Sequence, residues 1–582
     1  MEHSQKKEDS TKMLKDMMKA GQLLSETYFH NLPNLIHSAQ DIMGVMQSYI
    51  STAASKPETL FKIQNAYINF YKKQTELWQQ INQHLQDGNQ PLSNDDKRFK
   101  SPEWNESPYY FYFIKQTYLM VSELINEIIE ESTIEAPTKK KLKFYSQLYI
   151  DALSPANFLA TNPEVLKLAQ QTNGESLITG FKNLLGDINQ GKISQTDFSQ
   201  FEVGKNIATT KGSVVFQNEL IQLIQYKPLT EKISANPLFI ISPWINRYYI
   251  LDLEPENSFV RFAVEHGFTV FMTSWKVPKG EMGKLTLDDY AQKGLLDAID
   301  AIREITGAKK VNALGYCIGG TLLGAVAAVL AAKRKNYLGT ITLLATMIDF
   351  SDFGQLSAIV DMPLVEKLEK EIGEDGILKG TDMTNAFNMI RANNLIWNYV
   401  VNNYLMGKEP PLSSILHWTN DNTNLPGKMY TYYLRHIILE NGLSKKNALK
   451  ICNTQVDIGK IKTPCYVVGT AKDHISPCNT CFTTTHLVGG EVEFILGESG
   501  HVAGIINPPN NGNYGYYCGG ELGKDMAHFR NTAKHYNETW WLHWAKWLKE
   551  HSGEQINAPS KSGGGKYKVI EPAPGSYVKE KM

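Results

Sequence analysis

The sequence has no imbalance of charge, since its 582 residues include 59 basic and 60 acidic ones. Such a chain has no net field that would attract nucleic acid or an anionic membrane, and we expect neither as a partner. Long apolar runs are missing too, because the longest, such as TLLGAVAAVLAA, fall well short of the ~20 residues that span a bilayer. The charged start has no apolar core, so we expect no secretory signal and no transmembrane segment.

Cysteine is scarce, with six residues in the whole chain. That number does not support a disulfide framework, and a reducing cytoplasm is the simplest location. Hydrophobic residues make up 42% and charged residues 20%, which is typical of a globular protein with a large core. The length exceeds that of one ordinary domain, so we expect two.

Two hydrophobic patterns divide the chain near residue 200. Before it, apolar residues recur at three- and four-residue steps, which predicts an all-helical region over residues 1–200. After it, short β-rich runs alternate with helical patterns, which predicts an α/β domain with a mostly parallel sheet over residues 201–582. The predicted strands are 213–216, 238–242, 269–275, 311–315, 340–346, 465–470 and 492–497.

One interval, at about residues 347–450, interrupts this alternation. It shows no clear strand and is rich in Asn, Tyr and Trp. It is also too long for an ordinary connection within a compact domain. We interpret it as a helical cap inserted into the sheet domain.

The motif GYCIGG, at residues 315–320, lies between a predicted strand and a long apolar helix. A strand, a Gly-x-Cys-x-Gly turn and a helix match the nucleophile elbow of the α/β-hydrolase fold. The glycines suit a strained turn on which neighbouring side chains would clash. The turn presents Cys317 at a helix N-terminus, where the helix dipole favours a thiolate.

The other two members of a catalytic triad follow in the order that this fold requires. Asp473 stands in AKDHISP, just after the predicted strand 465–470, and His501 stands in ESGHVAG, just after the strand 492–497. Each residue type therefore lies at the carboxyl end of its strand. The sequence predicts the triad Cys317–Asp473–His501.

Oxyanion donors are predicted from backbone N–H groups. The N–H of Ile318 follows the nucleophile directly, and a second donor is expected from the loop PWINRYYILDL, at Ile245 or Asn246. Trp244 in this loop fits a packing role and a substrate role equally well.

Several other residues fit simpler explanations. Cys478 and Cys481 resemble half of a zinc site or a redox pair, but no second ligand pair stands at zinc-finger spacing, so incidental cysteines are favoured. His474 fits a group that supports the acid and an ordinary surface histidine equally well. Asp421 is a weaker candidate for the acid because it follows no strand. The tryptophans of WWLHWAKWL have helical spacing and favour a packing face.

These motifs together resemble the polyhydroxyalkanoate synthases, and the likeness covers most of the chain from about residue 100 onward. The long N-terminal helical region is similar to that of the class I, single-subunit enzymes. The resemblance rests on GYCIGG, PWINRYYILDL, AKDHISP, ESGHVAGIINPP, SPANFLATNP, HWTNDNTNLPG, WWLHWAKWLKEHSGEQINAPS and YKVIEPAPGSYVK.

The resemblance implies polymerisation of (R)-3-hydroxyacyl-CoA, short-chain 3-hydroxybutyryl-CoA first of all, into a polyester on cytoplasmic granules. The resemblance implies that Cys317 corresponds to the nucleophile of the family, His501 to its base and Asp473 to its acid. The family also implies a homodimer or a monomer–dimer equilibrium, with the helical region 1–200 supporting granule contact and dimerisation. No metal and no cofactor are expected, since CoA is the leaving group of the substrate.

Two other functions compete with this interpretation. A cysteine hydrolase of the same fold, either an esterase or an acyl-CoA thioesterase, would share the elbow and the triad but would not need the helical region or the C-terminal motifs. A non-catalytic granule scaffold would use only the amphipathic helices. The intact Cys–Asp–His set argues against a scaffold for the whole chain.

Overall fold

The computed structural model describes residues 56–87, 96–106, 109–373, 376–510 and 514–582, together with residues 47, 49 and 51. The predicted helical region before residue 47 thus lies outside the described residues. The chain divides into two compact units. Of the described residues, those up to Asp197 and Asn385–Leu412 form the first unit, and Phe198–Thr384 and Ser413–Met582 form the second.

The first unit is built from helices. The longest two confirm the predicted helical periodicity and pack on each other through a small apolar cluster that includes Leu77, Ile81 and Tyr112. Segment 385–412 belongs to this unit through a second cluster, in which the Tyr404 hydroxyl donates to the carboxylate of Asp187 at 2.6 Å. The helices are α1 Pro57–Asp87, α2 Tyr110–Glu131, α3 Ala136–Ala152, α4 Pro163–Gln171 and α5 Glu175–Gln190, with π-helical turns at Asn393–Trp397 and Val400–Leu405.

The second unit contains the strands. In chain order they are β1 Gly212–Gln217, β2 Ile221–Tyr226, β3 Lys232–Ser234, β4 Leu238–Ile241, β5 Val270–Trp275, β6 Val311–Tyr316, β7 Leu338–Leu344, β8 Ile377–Leu378, β9 Leu425–Pro426, β10 Lys450–Ile451, β11 Thr454–Gln455, β12 Cys465–Thr470, β13 Val492–Gly497, β14 Tyr516–Cys518, β15 Lys534–Tyr536, β16 Gln555–Asn557 and β17 Glu571–Pro572. All seven predicted strands are present, within two residues at each end.

Eleven of the strands in the described part of the chain form one sheet, in the order β15-β14-β13-β12-β7-β6-β4-β5-β2-β1-β17. The central strands β5, β4, β6, β7, β12 and β13 are parallel, and the strands that flank them pair antiparallel. The parallel strands are buried, as expected for a sheet that helices cover on both faces. This topology agrees with the predicted α/β-hydrolase fold.

Strand β2 is not among the predicted strands, because its sequence IQLIQY carries two glutamines although the strand is fully buried. Both are satisfied by the C-terminal tail: Gln225 accepts from the N–H of Gly563 at 2.7 Å, and Gln222 accepts from the N–H groups of Ser576 and Tyr577 at 3.1 Å. The tail thus supplies hydrogen-bond donors to the side-chain oxygens of these buried glutamines. A local hydrophobic pattern does not show such distant partners.

The helices of the second unit cover the sheet. The most buried, α8, is apolar on all sides and follows β6 directly. A short helix at Leu287–Asp289 and a π-helical turn at Tyr290–Leu296 lead into α7. The helices are α6 Phe259–Glu265, α7 Asp297–Thr306, α8 Ile318–Ala332, α9 Met362–Ile372, α10 Gly380–Ile390, α11 Ser414–Asn420, α12 Gly427–Tyr432, α13 Cys478–Leu487, α14 Met526–Thr532 and α15 Trp540–His551.

The interval 347–450 is largely helical, but it is not one body. Residues 385–412 belong to the first unit, whereas the parts on either side of them belong to the second. This division differs from the single insertion that the sequence predicts. Among the helices of the described residues, none combines the length and the apolar character that crossing a membrane requires.

Candidate active site

The carboxyl ends of the parallel strands carry the three predicted catalytic residues. Cys317 follows β6 directly, Asp473 lies three residues after β12, and His501 lies four residues after β13. Because β6, β7, β12 and β13 are consecutive parallel strands, their carboxyl ends lie at one edge of the sheet. The structure therefore brings together the three residues that the sequence predicts.

The backbone of Cys317 is strained, with φ of 52° and ψ of −127°. A non-glycine residue in such a conformation costs on the order of 1–3 kcal/mol, which the surrounding structure must offset. Here the N–H of Cys317 donates to the carbonyl of Leu344 at 2.9 Å, and its carbonyl accepts from Gly320 at 2.9 Å. The residue ends half-buried at the N-terminus of α8, as the elbow motif predicts.

Two glycines of the motif permit this turn by allowing close approach of the backbone. A Cβ atom at Gly315 would lie 2.4 Å from the Cα of Gly320, in the first turn of α8. A Cβ atom at Gly319 would lie 2.7 Å from the carbonyl oxygen of Ile241 and 2.8 Å from that of Ser242. Helix α8 thus packs against the end of β4 only because position 319 has no side chain.

Replacing Gly319 with alanine is expected to displace α8 and the elbow together. Such overpacking costs roughly 1–3 kcal/mol, so the melting temperature should fall by on the order of 5 °C and activity should fall with it. Thermal unfolding of the purified variant and its rate of CoA release measure both effects. Gly186→Ala in α5 is the matched control, because an added Cβ there meets no atom within 4 Å. Unchanged activity and melting temperature in Gly319→Ala would contradict this view of the turn.

His501 and Asp473 form a buried pair. The Nδ1 atom of His501 lies 2.8 Å from Oδ2 of Asp473, and the two side chains are 6% and 0% exposed. The other carboxylate oxygen accepts from the N–H groups of Ile475 and Ser476, each at 2.8 Å. Thr470 adds a hydroxyl donor at 3.1 Å to Oδ2. A carboxylate with four donors is held in one orientation.

The electrostatics of the pair favour proton uptake by the histidine. Burial works to raise the pKa of Asp473, but the His501 ring and the two N–H donors outweigh it and hold that pKa below its usual range. Burial works to lower the pKa of His501, but the Asp473 carboxylate and the sulfur of Cys317 outweigh it and raise that pKa well above its ordinary value. Nδ1 faces Asp473, so Nε2 is the nitrogen that remains for Cys317, whose sulfur is one of the groups that raise the pKa of His501.

Tyr316 supports His501 from the elbow itself, a role that the sequence analysis missed. Its ring stacks on the imidazole with centroids 5.4 Å apart, and its buried hydroxyl donates to the backbone carbonyl of His501 at 3.1 Å. The feature of the sequence that could have indicated this role is an aromatic residue directly before Cys317.

Helix α15 anchors the segment that follows His501. The indole N–H of Trp540 donates to the carbonyl of Gly504 at 2.9 Å, and that of Trp541 donates to the carbonyl of Ile505 at 2.8 Å. Both rings are buried, so these tryptophans form the packing face that their helical spacing predicts. They also fix the loop that carries the histidine, which helical spacing alone did not show.

The predicted oxyanion donors lie around the elbow. Ile318 is the first residue of α8, and Ile245 and Asn246 are half-buried in the loop after β4. That loop is held from the other side, because the carbonyl of Ile245 accepts from the N–H of Thr423 at 3.0 Å and the amide of Asn246 donates to Asn422 at 2.8 Å. The role of these three N–H groups stays a prediction.

Asp421 pairs with residues other than His501. Its carboxylate pairs with the buried guanidinium of Arg247 at 3.2 Å and accepts from the hydroxyl of Tyr249 at 2.7 Å. Trp244 is buried among aromatic rings, with its centroid 5.5 Å from that of Tyr290 and 6.1 Å from that of Tyr433.

The remaining candidates stand close to the acid. His474 is half-buried beside Asp473. Cys478 and Cys481 are free thiols on the first turn of α13, and Cys481 is buried. No other His, Cys, Asp or Glu joins them in a possible metal cluster among the residues described.

Two family descriptions match the chain. Residues 95–263 match the poly-beta-hydroxybutyrate polymerase (PhaC) N-terminus, and residues 252–508 match the alpha/beta hydrolase fold. A solved structure, the monoacylglycerol lipase of Paleococcus ferrophilus, is 11% identical and covers 57% of this chain and 99% of its own, with a TM-score of 0.33.

Curated relatives cover nearly the whole chain. The poly(3-hydroxyalkanoate) polymerase subunit PhaC of Cupriavidus necator is 41% identical over 531 residues, which are 90% of this chain and 89% of that protein. The protein of the same name from Rhizobium etli is 35% identical over 604 residues, which are 98% of this chain and 94% of that protein. The likeness thus includes both the helical region and the sheet domain.

Proposed function

The chain belongs to the poly(3-hydroxyalkanoate) polymerase family, and we propose that it joins (R)-3-hydroxyacyl groups from CoA thioesters into a polyester with release of CoA. We propose short-chain substrates, with 3-hydroxybutyryl-CoA first of all. The observation that carries the proposal is the arrangement at the sheet edge, where His501 faces the Asp473 carboxylate with one nitrogen and leaves the other for Cys317.

In the first step Nε2 of His501 takes the proton from the thiol of Cys317, and the sulfur attacks the carbonyl carbon of the acyl-CoA. The N–H of Ile318, with that of Ile245 or Asn246, stabilises the negative charge that develops on the carbonyl oxygen. The C–S bond to CoA then breaks, and the proton on His501 passes to the departing CoA sulfur. The acyl group is left on Cys317 as a new thioester.

In the second step His501 takes the proton from the 3-hydroxyl group of a chain end or a second monomer. The resulting oxygen attacks the acyl–sulfur carbonyl, the C–S bond to Cys317 breaks as the oxygen ester forms, and the proton on His501 passes to the sulfur to regenerate the thiol. Exchange of one thioester for another is nearly level in free energy, so the acyl group stays activated until this step. A serine would form an oxygen ester at once and lose that driving force.

Asp473 acts on His501 and does not touch the substrate. Its carboxylate holds the N–H on Nδ1, which leaves Nε2 unprotonated towards the sulfur, and it stabilises the imidazolium that forms in each step. The buried position of both side chains keeps this interaction strong.

Chain growth needs an acyl-enzyme that water does not reach. We propose that the helical segments of residues 347–384 and 413–450, which lie in the same unit as Cys317, restrict access to this residue. Tyr433, which begins the π-helical turn Tyr433–Leu439, supports this proposal, because it is buried and because burial and the nearby sulfur of Cys317 raise its pKa. Cys317 itself is half-buried.

Restricted access predicts slow reaction of Cys317 with a thiol reagent in the resting protein, and faster reaction when a substrate analogue opens the site. The difference in labelling between the wild type and Cys317→Ala isolates the signal of this cysteine from that of the half-buried Cys452 and Cys478. Immediate full labelling of the resting protein would show an open site and contradict the proposal.

We also propose that the enzyme works at the surface of polyester granules in the cytoplasm, as a homodimer or in a monomer–dimer equilibrium. The support is an apolar face on α1 in the helical region. Six large side chains there are between 46% and 66% exposed, at spacings that follow the helix period: Leu60, Phe61, Tyr67, Ile68, Tyr71 and Trp78.

Incubation with (R)-3-hydroxybutyryl-CoA tests the proposal when CoA release and product size are followed together. A polymerase releases CoA and yields a polyester of high mass. A hydrolase of the same fold releases CoA and yields free 3-hydroxybutyrate, and a scaffold releases no CoA. Either of the last two results would overturn the proposal, and Cys317→Ala serves as the matched blank.

A further inference from the structure

Three side chains of the kinds that bind metals converge in the second unit, apart from the catalytic triad. They are Glu493 on β13, Cys518 on β14 and His543 on α15, and their potential ligand atoms all lie within 4.8 Å of one another. The catalytic mechanism uses none of the three.

The sheet register explains why they meet. Glu493 pairs with Tyr466 of the parallel neighbour β12, and Leu496 pairs with Tyr517 of the antiparallel neighbour β14. The second pairing sets Cys518 opposite residue 495, two positions along β13 from Glu493. Side chains two positions apart share a face of the sheet, so Glu493 and Cys518 point to the same side.

Helix α15 contributes His543 to the same group of side chains. The imidazole of His543 lies with its centroid 5.9 Å from that of Tyr466 and 5.8 Å from that of Tyr516. Its Nδ1 is 2.9 Å from the hydroxyl of Tyr466. This hydrogen bond fixes the ring and leaves Nε2 for an ion, which is the arrangement of a metal-binding histidine whose second nitrogen is held by a neighbour.

We propose that Glu493, Cys518 and His543 bind a divalent transition-metal ion of the zinc type. Thiolate, imidazole and carboxylate are the three kinds of ligand that Zn²⁺ takes in proteins. Binding displaces the thiol proton of Cys518, and the thiolate and the carboxylate together then balance the two positive charges. Cys518 is buried and the other two residues are half-buried. A water molecule would take the fourth position of a tetrahedral ion.

Ligand atoms around a tetrahedral Zn²⁺ lie roughly 3.3–3.8 Å apart. The potential ligand atoms of the three side chains all lie within 4.8 Å of one another, so small side-chain movements suffice to bind one ion, and the long side chain of Glu493 has the freedom to make them. This proposal differs from the expectation, drawn from the sequence, that the chain binds no metal.

An ion at this position would tie the short strand β14, near the edge of the sheet, to α15. That helix also anchors the loop of His501 through Trp540 and Trp541. Binding to the folded state alone raises the melting temperature. The site therefore has a stabilising role and lies outside the reacting atoms.

Titration of the full chain with Co²⁺ tests the proposal, because a cobalt thiolate gives a charge-transfer band in the near ultraviolet. The Cys317→Ala background is used, so that the active-site thiol and His501 cannot give the same band. We expect a band at one equivalent of Co²⁺ and a rise in melting temperature of a few degrees. Zn²⁺ should displace the Co²⁺ and remove the band.

Cys518→Ser in this background should abolish the band, and Glu493→Gln should weaken Co²⁺ binding at least tenfold. Cys452→Ser is the matched control and should keep the band, since Cys452 lies outside the group. If Cys518→Ser does not fold, His543→Gln replaces it with the same expected loss. Absence of a band, or a band that survives in Cys518→Ser or His543→Gln, would overturn the proposal.

Discussion

Cys317→Ala should release no CoA above the background rate, because no covalent intermediate can form without the sulfur. A loss of on the order of 10⁴-fold or more is expected from removal of a catalytic nucleophile. Cys317→Ser should keep weak activity at most, since an oxygen ester at the first step forfeits the free energy needed for chain growth. CoA release from (R)-3-hydroxybutyryl-CoA measures both.

Cys452→Ser is the matched control for these variants. Cys452 is a half-buried free thiol between β10 and β11, and its loss leaves the elbow unchanged. Near-normal CoA release from Cys317→Ala, with Cys452→Ser equally active, would show that the elbow does not carry the nucleophile.

Substitution of His501 and of Asp473 should separate the two halves of the reaction. His501→Gln removes the base for both steps and should lower polymerisation by on the order of 10³-fold. Asp473→Asn should lower chain growth by a comparable factor, because an amide in place of the carboxylate can donate to Nδ1 and leave the proton on Nε2, facing the sulfur. Acylation should survive Asp473→Asn better than chain growth does, since a thiol gives up its proton more readily than an alcohol.

Single-turnover acylation with labelled substrate and steady-state polymer yield measure the two halves of the reaction in each variant. His528→Gln is the control for loss of a histidine, because the imidazole of His528 pairs with the exposed Glu521 at the surface. Equal loss of acylation and chain growth in Asp473→Asn would contradict the prediction that acylation depends less on Asp473 than chain growth does.

The sequence was sufficient to predict that Cys317, Asp473 and His501 lie at the carboxyl ends of parallel strands, because the signals for these positions are local. Each follows a buried strand of β-rich sequence, and the order Cys317, Asp473, His501 is the order of nucleophile, acid and base in this fold. The tight turn of GYCIGG could also be predicted from the sequence, since the close backbone contacts that Gly315 and Gly319 allow lie within or beside the motif.

The supports of the site depend on contacts between distant parts of the chain, which local patterns do not show. The hydroxyl of Tyr316 donates a hydrogen bond to the carbonyl of His501, which is 185 residues away in the sequence. The indole of Trp540 donates one to the carbonyl of Gly504, which is 36 residues away. Strand β2 was missed for the same reason, because the tail that satisfies Gln222 lies more than 350 residues further on. The place of residues 385–412 likewise depends on packing such as that between Tyr404 and Asp187.

The most direct measurement is the mass of the peptide that contains Cys317 after a brief reaction with (R)-3-hydroxybutyryl-CoA and an acid quench. Asp473→Asn is the protein of choice, because slow chain growth lets the acyl-enzyme accumulate. The account predicts a 3-hydroxybutyryl group on Cys317, in an amount equal to the CoA released in the first turnover. CoA release with no acyl group on that peptide, or with the group on another residue, would contradict the covalent mechanism.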